Sequence, residues 1–337
     1  MEEKTIRKDN LIRLLGELAG SCQVLAPVRR GDSLVFEEIL SGDAIHFPDG
    51  NTKKSVKEVF FPQRESLFAY QDEETREPKF PDKERVVFGV RPCDARSLFL
   101  LDSVFDADDF TDPYYFSKRQ NSTVIAIGCS HPMRTCFCTA TGGDPFSLDG
   151  ADVLLVDMGE TYFVQAVTQR GETFLEGRAG LEKPEQDQRQ RKDEIIEKAR
   201  GSIGSDLNVE RVKTVLDRDF DNPFWETVHE KCHGCGVCTF LCPTCHCFDI
   251  LDEGDRRQGE RIRIWDSCMF SLFTLHASGS NPRPGGKERI RQRILHKFKY
   301  FVDNHNEVAC TGCGRCIRDC PVNLDIREVL IEIQNSE

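Results

Sequence analysis

The sequence predicts an α+β protein: a mixed α/β domain over residues 1–180, a charged connector over 181–204, and a mostly helical domain with a long insertion over 205–337. Three observations lead there. Short apolar runs alternate with stretches of helical spacing as far as about residue 167, the pattern of a layered sheet-and-helix domain. Glu182–Arg200 is dense in charge of both signs, contains Pro184 and has few bulky apolar residues, as an exposed connector would. The last third carries one tight cysteine pattern twice, flanked by helical spacing.

The elements follow in order. Leu11, Leu14, Leu15 and Leu18 share one helical face, and Gly20 ends that helix. Val86–Val90 reads as a short buried strand, followed after Arg91-Pro92-Cys93-Asp94 by a helix from Ala95 to Phe105. Thr123–Ile127 repeats the strand and runs into Gly128-Cys129. Val153–Val156 and Tyr162–Val167 form an expected hairpin across Met158-Gly159-Glu160, so the sheet is not purely parallel. Val209, Val212, Val215 and Leu216 mark a helix that leads past Trp225 into the first cysteine loop. Arg261–Trp265 alternates as a strand. Ile326, Val329, Leu330 and Ile333 mark a final helix, with Asn323 as its expected cap.

The cysteine pattern is Cys232, Cys235, Cys238, Cys242, Pro243, repeated as Cys310, Cys313, Cys316, Cys320, Pro321. Both copies have the spacing of two-cluster bacterial ferredoxins, in which three cysteines hold one 4Fe-4S cluster and the fourth reaches across to the other. That rule assigns Cys232, Cys235, Cys238 and Cys320 to one cluster, and Cys310, Cys313, Cys316 and Cys242 to a second. Gly234, Gly236, Gly312 and Gly314 let the backbone pass close to sulfur. A zinc ribbon is disfavoured because structural zinc prefers two separated ligand pairs.

Composition bounds the setting. The chain has 337 residues, enough for about two domains, and 39% hydrophobic residues supply ordinary cores. Met1-Glu2-Glu3-Lys4 opens no apolar signal region and no apolar stretch reaches membrane-span length, so the expected location is cytoplasmic. Sixteen cysteines in a reducing compartment point to metal instead of disulfides, and to an anaerobic or low-oxygen setting. A formal charge of −12 argues against a nucleic-acid partner. The sequence has no Gly-x-Gly-x-x-Gly turn, no phosphate-binding Gly-Lys-Ser/Thr loop, and no hydrolase or metalloprotease signature. Electrons are therefore expected to enter and leave through partner subunits, one bearing flavin and one catalytic.

Two further cysteine groups lie outside the ferredoxin runs. Cys93, Cys129, Cys136 and Cys138 are scattered over the first domain, and Cys93 and Cys129 each follow an expected strand. Carboxyl ends of strands form the crevice where α/β sheets bind ligands, so these four form a candidate third 4Fe-4S site; buried free cysteines are the alternative. Cys245, Cys247 and Cys268 occupy the insertion, where 68 positions separate Cys242 from Cys310. With His246 they form a candidate site for zinc or a further cluster, against the alternative of a packed wall of sulfur and aromatic rings. Isolated Cys22 reads as a core residue. The stretch Arg283–Lys299 is strongly basic and reads either as a docking face for an acidic partner or as a solvated helix face.

The strings Gly89-Val90-Arg91-Pro92-Cys93-Asp94-Ala95-Arg96, Asp112-Pro113-Tyr114-Tyr115, Thr135-Cys136-Phe137-Cys138, Cys242-Pro243-Thr244-Cys245-His246-Cys247-Phe248-Asp249-Ile250, Trp265-Asp266-Ser267-Cys268 and His276-Ala277-Ser278-Gly279 carry a family resemblance. From about Lys57 onward the chain resembles two related proteins, the A subunit of anaerobic sulfite reductase and the beta subunit of soluble NAD(P)-linked nickel-iron hydrogenases, the sulfhydrogenases. Related dicluster subunits accompany heterodisulfide reductase. The resemblance implies a cytoplasmic multi-subunit complex in which this chain relays electrons between a terminal hydrogenase, sulfite reductase or heterodisulfide reductase and a flavin-bearing, NAD(P)H-linked subunit. It also implies recurrent positions for the additional cysteines. Ser280 departs from the family, which has a histidine there. A non-catalytic electron carrier is one reading; an amino-terminal domain that itself reduces a small molecule, at Cys93, Cys129, Cys136 and Cys138 or at a bound flavin, is another, and a redox-sensing scaffold is a third.

Overall fold

The apolar runs of the first half have no polar face, and each becomes a strand buried on both sides, as parallel strands covered by helices are. In the computed structural model, which describes all residues other than Met1, Pro48, Pro78, Lys79, Pro81, Asp82, Asp108 and Glu337, four strands lie parallel. They are β2 (Gln23–Arg30), β6 (Arg85–Val90), β9 (Ser122–Ile127) and β10 (Val153–Asp157). Antiparallel strands finish both edges: β3 (Ser33–Glu38) beside β2, and β11 (Thr161–Ala166), β1 (Glu3–Arg7) and β12 (Leu181–Glu182) beyond β10. The hairpin of β10 and β11 is the one expected across Met158–Glu160, so this eight-stranded sheet is mixed.

Helix α1 (Lys8–Leu18) buries Leu11, Leu14, Leu15 and Leu18 against a core that includes Val24, Val86, Ile125, Leu155 and Val164. Burying a leucine side chain contributes about 2 kcal/mol, so this face alone accounts for the docking of α1. A single turn, α2 (Lys57–Phe60), precedes the second half of the sheet. Helix α3 (Pro92–Phe105) starts on Pro92, whose missing N–H costs nothing at a first helical position. A two-residue ribbon, β7 (Asp106–Ala107) with β8 (Phe110–Thr111), leads to α4 (Pro113–Gln120), where the Asp112 carboxylate accepts from the Tyr115 amide at 2.9 Å. Thr168 caps α5 (Gln169–Leu175) in the same way. The segment read as a connector is instead β12 followed by helix α6 (Gln186–Gly201), closed by a capping box between Glu185 and Gln188.

The chain divides into two units, Met1–Phe60, Phe80–Gly204 and Thr311–Cys313 in the first, and Phe61–Lys79, Ser205–Cys310 and Gly314–Glu337 in the second. This differs from a boundary within 181–204 in two places. Residues 61–79 supply β4 (Arg64–Gln71) and β5 (Glu74–Arg76) to the second unit's sheet, ordered β13-β14-β4-β5, with β13 (Phe248–Gly254) and β14 (Gln258–Trp265) from the insertion. Strand pairing over so long a separation leaves no local signal. Residues 311–313, the tip of the second cysteine loop, belong to the first unit.

In the second unit α7 (Val209–Arg218) buries Val212, Val215 and Leu216, and α8 (Phe224–Val228) buries Trp225. Short helices α9 (Val237–Phe240) and α12 (Arg315–Arg318) lie within the two cysteine runs. Helix α10 (Gly286–Leu295) continues through a π-helical turn, His296–Tyr300, into α11 (Phe301–His305). The final helix α13 (Ile326–Asn335) buries Ile326, Val329, Leu330 and Ile333, and its Gln334 accepts from the Asn208 amide at 2.6 Å. Its cap is Asp325, which accepts from the Arg327 amide, and not Asn323, whose φ of 52° places it in the turn before. After the first cysteine run the chain enters strand β13 and not a long helix.

Candidate iron-sulfur centres

The two cysteine runs adopt one backbone conformation. Gly234 and Gly312 have φ of 66° and 61°, and Gly236 and Gly314 have 76° and 73° as the residues before α9 and α12. A side chain resists that left-handed region, so glycine is what lets each run wrap a cluster. In the first run the close approach is also visible: a Cβ on Gly236 would lie 2.7 Å from the Phe270 ring. Behind it the Thr239 and Ser267 hydroxyls meet at 2.7 Å, both fully buried, while the Trp265 indole donates to the Phe61 carbonyl at 3.1 Å. Trp265-Asp266-Ser267 therefore anchors the first cluster loop to the insertion's sheet.

Cys232, Cys235, Cys238 and Cys320 line one cavity, with Cys316 also on its wall and Met269, Ile290 and Ile326 among its apolar neighbours. Two thiols already accept backbone hydrogen bonds there, Cys232 from the Gly234 amide at 3.4 Å and Cys320 from the Leu324 amide at 3.2 Å. Cysteines of both runs on the wall of one apolar cavity, two of them reached by donors from the backbone, fit the requirements of a cubane.

Of the second set, Cys242, Cys310 and Cys316 lie in the second unit and Cys313 in the first, so its place in the set rests on the spacing. Cys242 faces Lys297, whose ammonium lies 3.2 Å from its Sγ. A thiol hydrogen bond from Cys245, and then the Lys297 charge, hold the Cys242 thiol well below its ordinary range, against the opposing effect of desolvation. Lys297 is reached through α10, where Ile290, Ile294 and Leu295 are buried and carry Arg293 and Lys297 inward with them.

Of the candidate set Cys93, Cys129, Cys136 and Cys138 in the first unit, the last three act on one another. Cys138 is pushed up to about 12, first by burial and then by the neighbouring Cys136 and Cys129 sulfurs. Burial likewise raises the Cys129 thiol. A cluster iron supplies the positive charge that such thiolates lack on their own, so the donor set suits a metal centre. Arg91 organises the approach: its guanidinium donates to the Gly50 carbonyl at 3.0 Å and the Gly128 carbonyl at 2.7 Å, tying the junction of β6 and α3, just before Cys93, to the residue before Cys129. Cys93 itself is half-buried in the first turn of α3. The tip of the second ferredoxin loop is stitched into this same place. Asn51 donates to the Cys313 carbonyl at 2.9 Å, and the Cys136 sulfur lies 3.9 Å from that oxygen.

Cys245, Cys247 and Cys268 line a cavity of about 290 Å³ in the second unit, with His246, Phe273 and His296. Their thiols pair, Cys245 with Cys242 and Cys268 with Cys247, and the pairing together with burial raises Cys245 and Cys268. Among the described residues no group of three histidine, cysteine or acidic side chains is gathered tightly enough for a single metal ion, the ferredoxin cysteines included. A cubane differs in spreading its four thiolates around a larger body.

The basic stretch 283–299 is mostly engaged within the unit. Lys287 pairs with Glu226, Arg291 with Asp221 at 2.5 Å, and Lys299 with Asp217 at 2.5 Å. Arg293 and Lys297 are buried. The sequence reading missed those two as site residues, although Ile290, Arg293, Ile294, Lys297 and Phe298 fall on one helical face, a signal that the cations share the apolar side.

Residues 231–324 match the family described as a 4Fe-4S dicluster domain. Paired ferredoxin loops within that domain define an iron-sulfur electron-transfer subunit. Sulfhydrogenase 2 subunit beta of Pyrococcus furiosus is 33% identical over 315 residues, covering 93% of this chain and 92% of that protein. The chain belongs to the sulfhydrogenase beta-subunit family. No solved structure matches it. Among the described residues no helix is long and apolar enough to cross a membrane.

Proposed function

We propose that this chain is the electron relay of a cytoplasmic multi-subunit oxidoreductase, carrying electrons between a hydrogenase or related terminal reductase and a flavin-bearing, NAD(P)H-linked subunit. The observation that carries this reading is the single cavity lined by Cys232, Cys235, Cys238 and Cys320, residues from opposite ends of the dicluster region. Two 4Fe-4S clusters occupy the ferredoxin runs, with Cys310, Cys313, Cys316 and Cys242 holding the second. A third sits at Cys93, Cys129, Cys136 and Cys138, beside the backbone of Cys313. Bound clusters supply one-electron chemistry; the chain's own residues shape their surroundings, exclude water and supply hydrogen bonds to sulfur. Cys245, Cys247 and Cys268 are kept as a candidate further centre.

The test is copurification and turnover. The complex isolated through this chain is expected to contain a flavoprotein and a terminal enzyme, and reduction by NAD(P)H is expected to produce cluster signals in this chain. If the chain isolated free of partners turned over NAD(P)H with a small-molecule acceptor at the rate of the complex, the relay reading would fall.

A further inference from the structure

Two cations are buried in the second unit without a carboxylate partner among the described residues. Lys297 is 3% exposed and Arg293 is 4% exposed, and neither forms an ion pair with Asp or Glu. The Lys297 ammonium spends its three donors on the Thr244 hydroxyl at 2.9 Å, the Ala309 carbonyl at 2.8 Å and the Cys242 sulfur at 3.2 Å. The Arg293 Nε is buried with no hydrogen-bond partner, and the groups acting on its charge are Cys238, Cys316, Cys245 and Cys242. An ammonium or guanidinium is costly in a dry interior unless an anion answers it. Sulfur is the only candidate anion that these contacts offer.

The backbone supports a specific placement. Lys297 lies in the π-helical turn His296–Tyr300, a local widening that recurs at functional sites because it re-aims side chains. Here it sets Lys297 against both arms of the second cluster's loops, since Thr244 follows Cys242 and Ala309 precedes Cys310. The lysine thus reaches the sulfur of Cys242 and the backbone entering Cys310 together.

We propose that Lys297 sets the reduction potential of the cluster that takes Cys242 as ligand, with Arg293 one helical turn earlier as a second fixed counter-charge. This rests on the reading of Cys242 as a cluster ligand. On reduction the cluster gains one electron from its donor, here dithionite or a reduced partner protein; no bond forms or breaks and no proton moves. The added negative charge is answered by the ammonium already in place, so the reduced form is favoured and the potential is raised. Lys297 is a positioning residue in this role, since it donates to the ligand and not to the iron.

The experiment is an EPR-monitored dithionite titration of the full chain, with iron counted for each variant. Lys297→Met is expected to keep its iron and lower the reduction equilibrium of one cluster about tenfold or more, equivalent to about 59 mV for one electron. Lys297→Arg, which keeps charge and donors, is expected to stay within about threefold of the parent, and Lys297→Gln to fall between. Unchanged equilibria in Met and Gln variants that retain their iron overturn the proposal. Loss of iron in both also overturns it, because the lysine is then a structural prop. Cys242→Ala examines the underlying reading separately: it is expected to lose about four irons, and full iron content there refutes the ligand assignment whatever Lys297 does.

Discussion

The amide of Phe137 donates to the carbonyl of Gly312 at 2.9 Å, so the loop that carries Cys136 and Cys138 is bonded to the tip of the second ferredoxin loop within one structural unit. Residues 175 positions apart in the chain thereby share a hydrogen bond between two cysteine loops. The contact leaves no room for a side chain: a Cβ on Gly312 would lie 2.4 Å from the Cys138 nitrogen, and the glycine φ is +61°.

Gly312→Ala is expected to be destabilising by at least about 2 kcal/mol, combining left-handed strain with displacement of the Cys138 backbone. Thermal unfolding and iron per chain measure it. A variant with native stability and native iron would show that this approach is not required.

Cys232→Ala and Cys320→Ala are each expected to remove about four irons, and the double variant to remove about four and not eight, since both line the same cavity. Iron analysis of the three proteins decides the matter. An additive loss in the double variant would break the crossed ligand assignment.

Cys138→Ala addresses the first unit. The parent is expected to hold about twelve irons from three clusters, and the variant about eight, with the ferredoxin signals intact. Equal iron in the two proteins would reduce Cys138, Cys136 and Cys129 to buried thiols.

His296 gives the protein an acid sensitivity. Burial, reinforced by the charges of Lys297 and Arg283, lowers it to about 4, against 6.5 unperturbed. An imidazole with a depressed folded value contributes stability that is present above pH 6.5 and is lost as the pH falls toward 4. At pH 5 the loss is at most about 2 kcal/mol. Unfolding midpoints between pH 7 and pH 5 are expected to fall less for His296→Phe than for the parent; parallel pH profiles would assign the sensitivity elsewhere.

Local elements were legible because local physics determines them. The face of α1, the apolar runs within β6 and β9 and the Met158–Glu160 hairpin announce themselves within a dozen residues. The glycines and cysteines of both ferredoxin runs did so for the same reason. Non-local pairing did not: β4 has neither an alternating pattern nor a buried face of its own, its partner β14 lies far downstream, and the tip 311–313 joins a unit that its own sequence does not advertise. The basic run misled because formal charge was counted without position on the helix. Arg293 and Lys297 look like their neighbours in composition, yet they share the face of Ile290, Ile294 and Phe298.

The borrowed hairpin of β4 and β5 sets a schedule for biosynthesis. Arg64 pairs with Ile264, about two hundred residues later in the chain. At about 5–20 residues per second a ribosome needs roughly 10–40 s to make that interval. Throughout it, Leu67, Phe68 and Tyr70 stand on a two-stranded ribbon too small to persist by itself in water. The nascent chain must therefore keep an unpaired strand edge out of aggregates until β14 emerges, a demand that falls on chaperones and on the speed of translation, and one that the finished fold no longer displays.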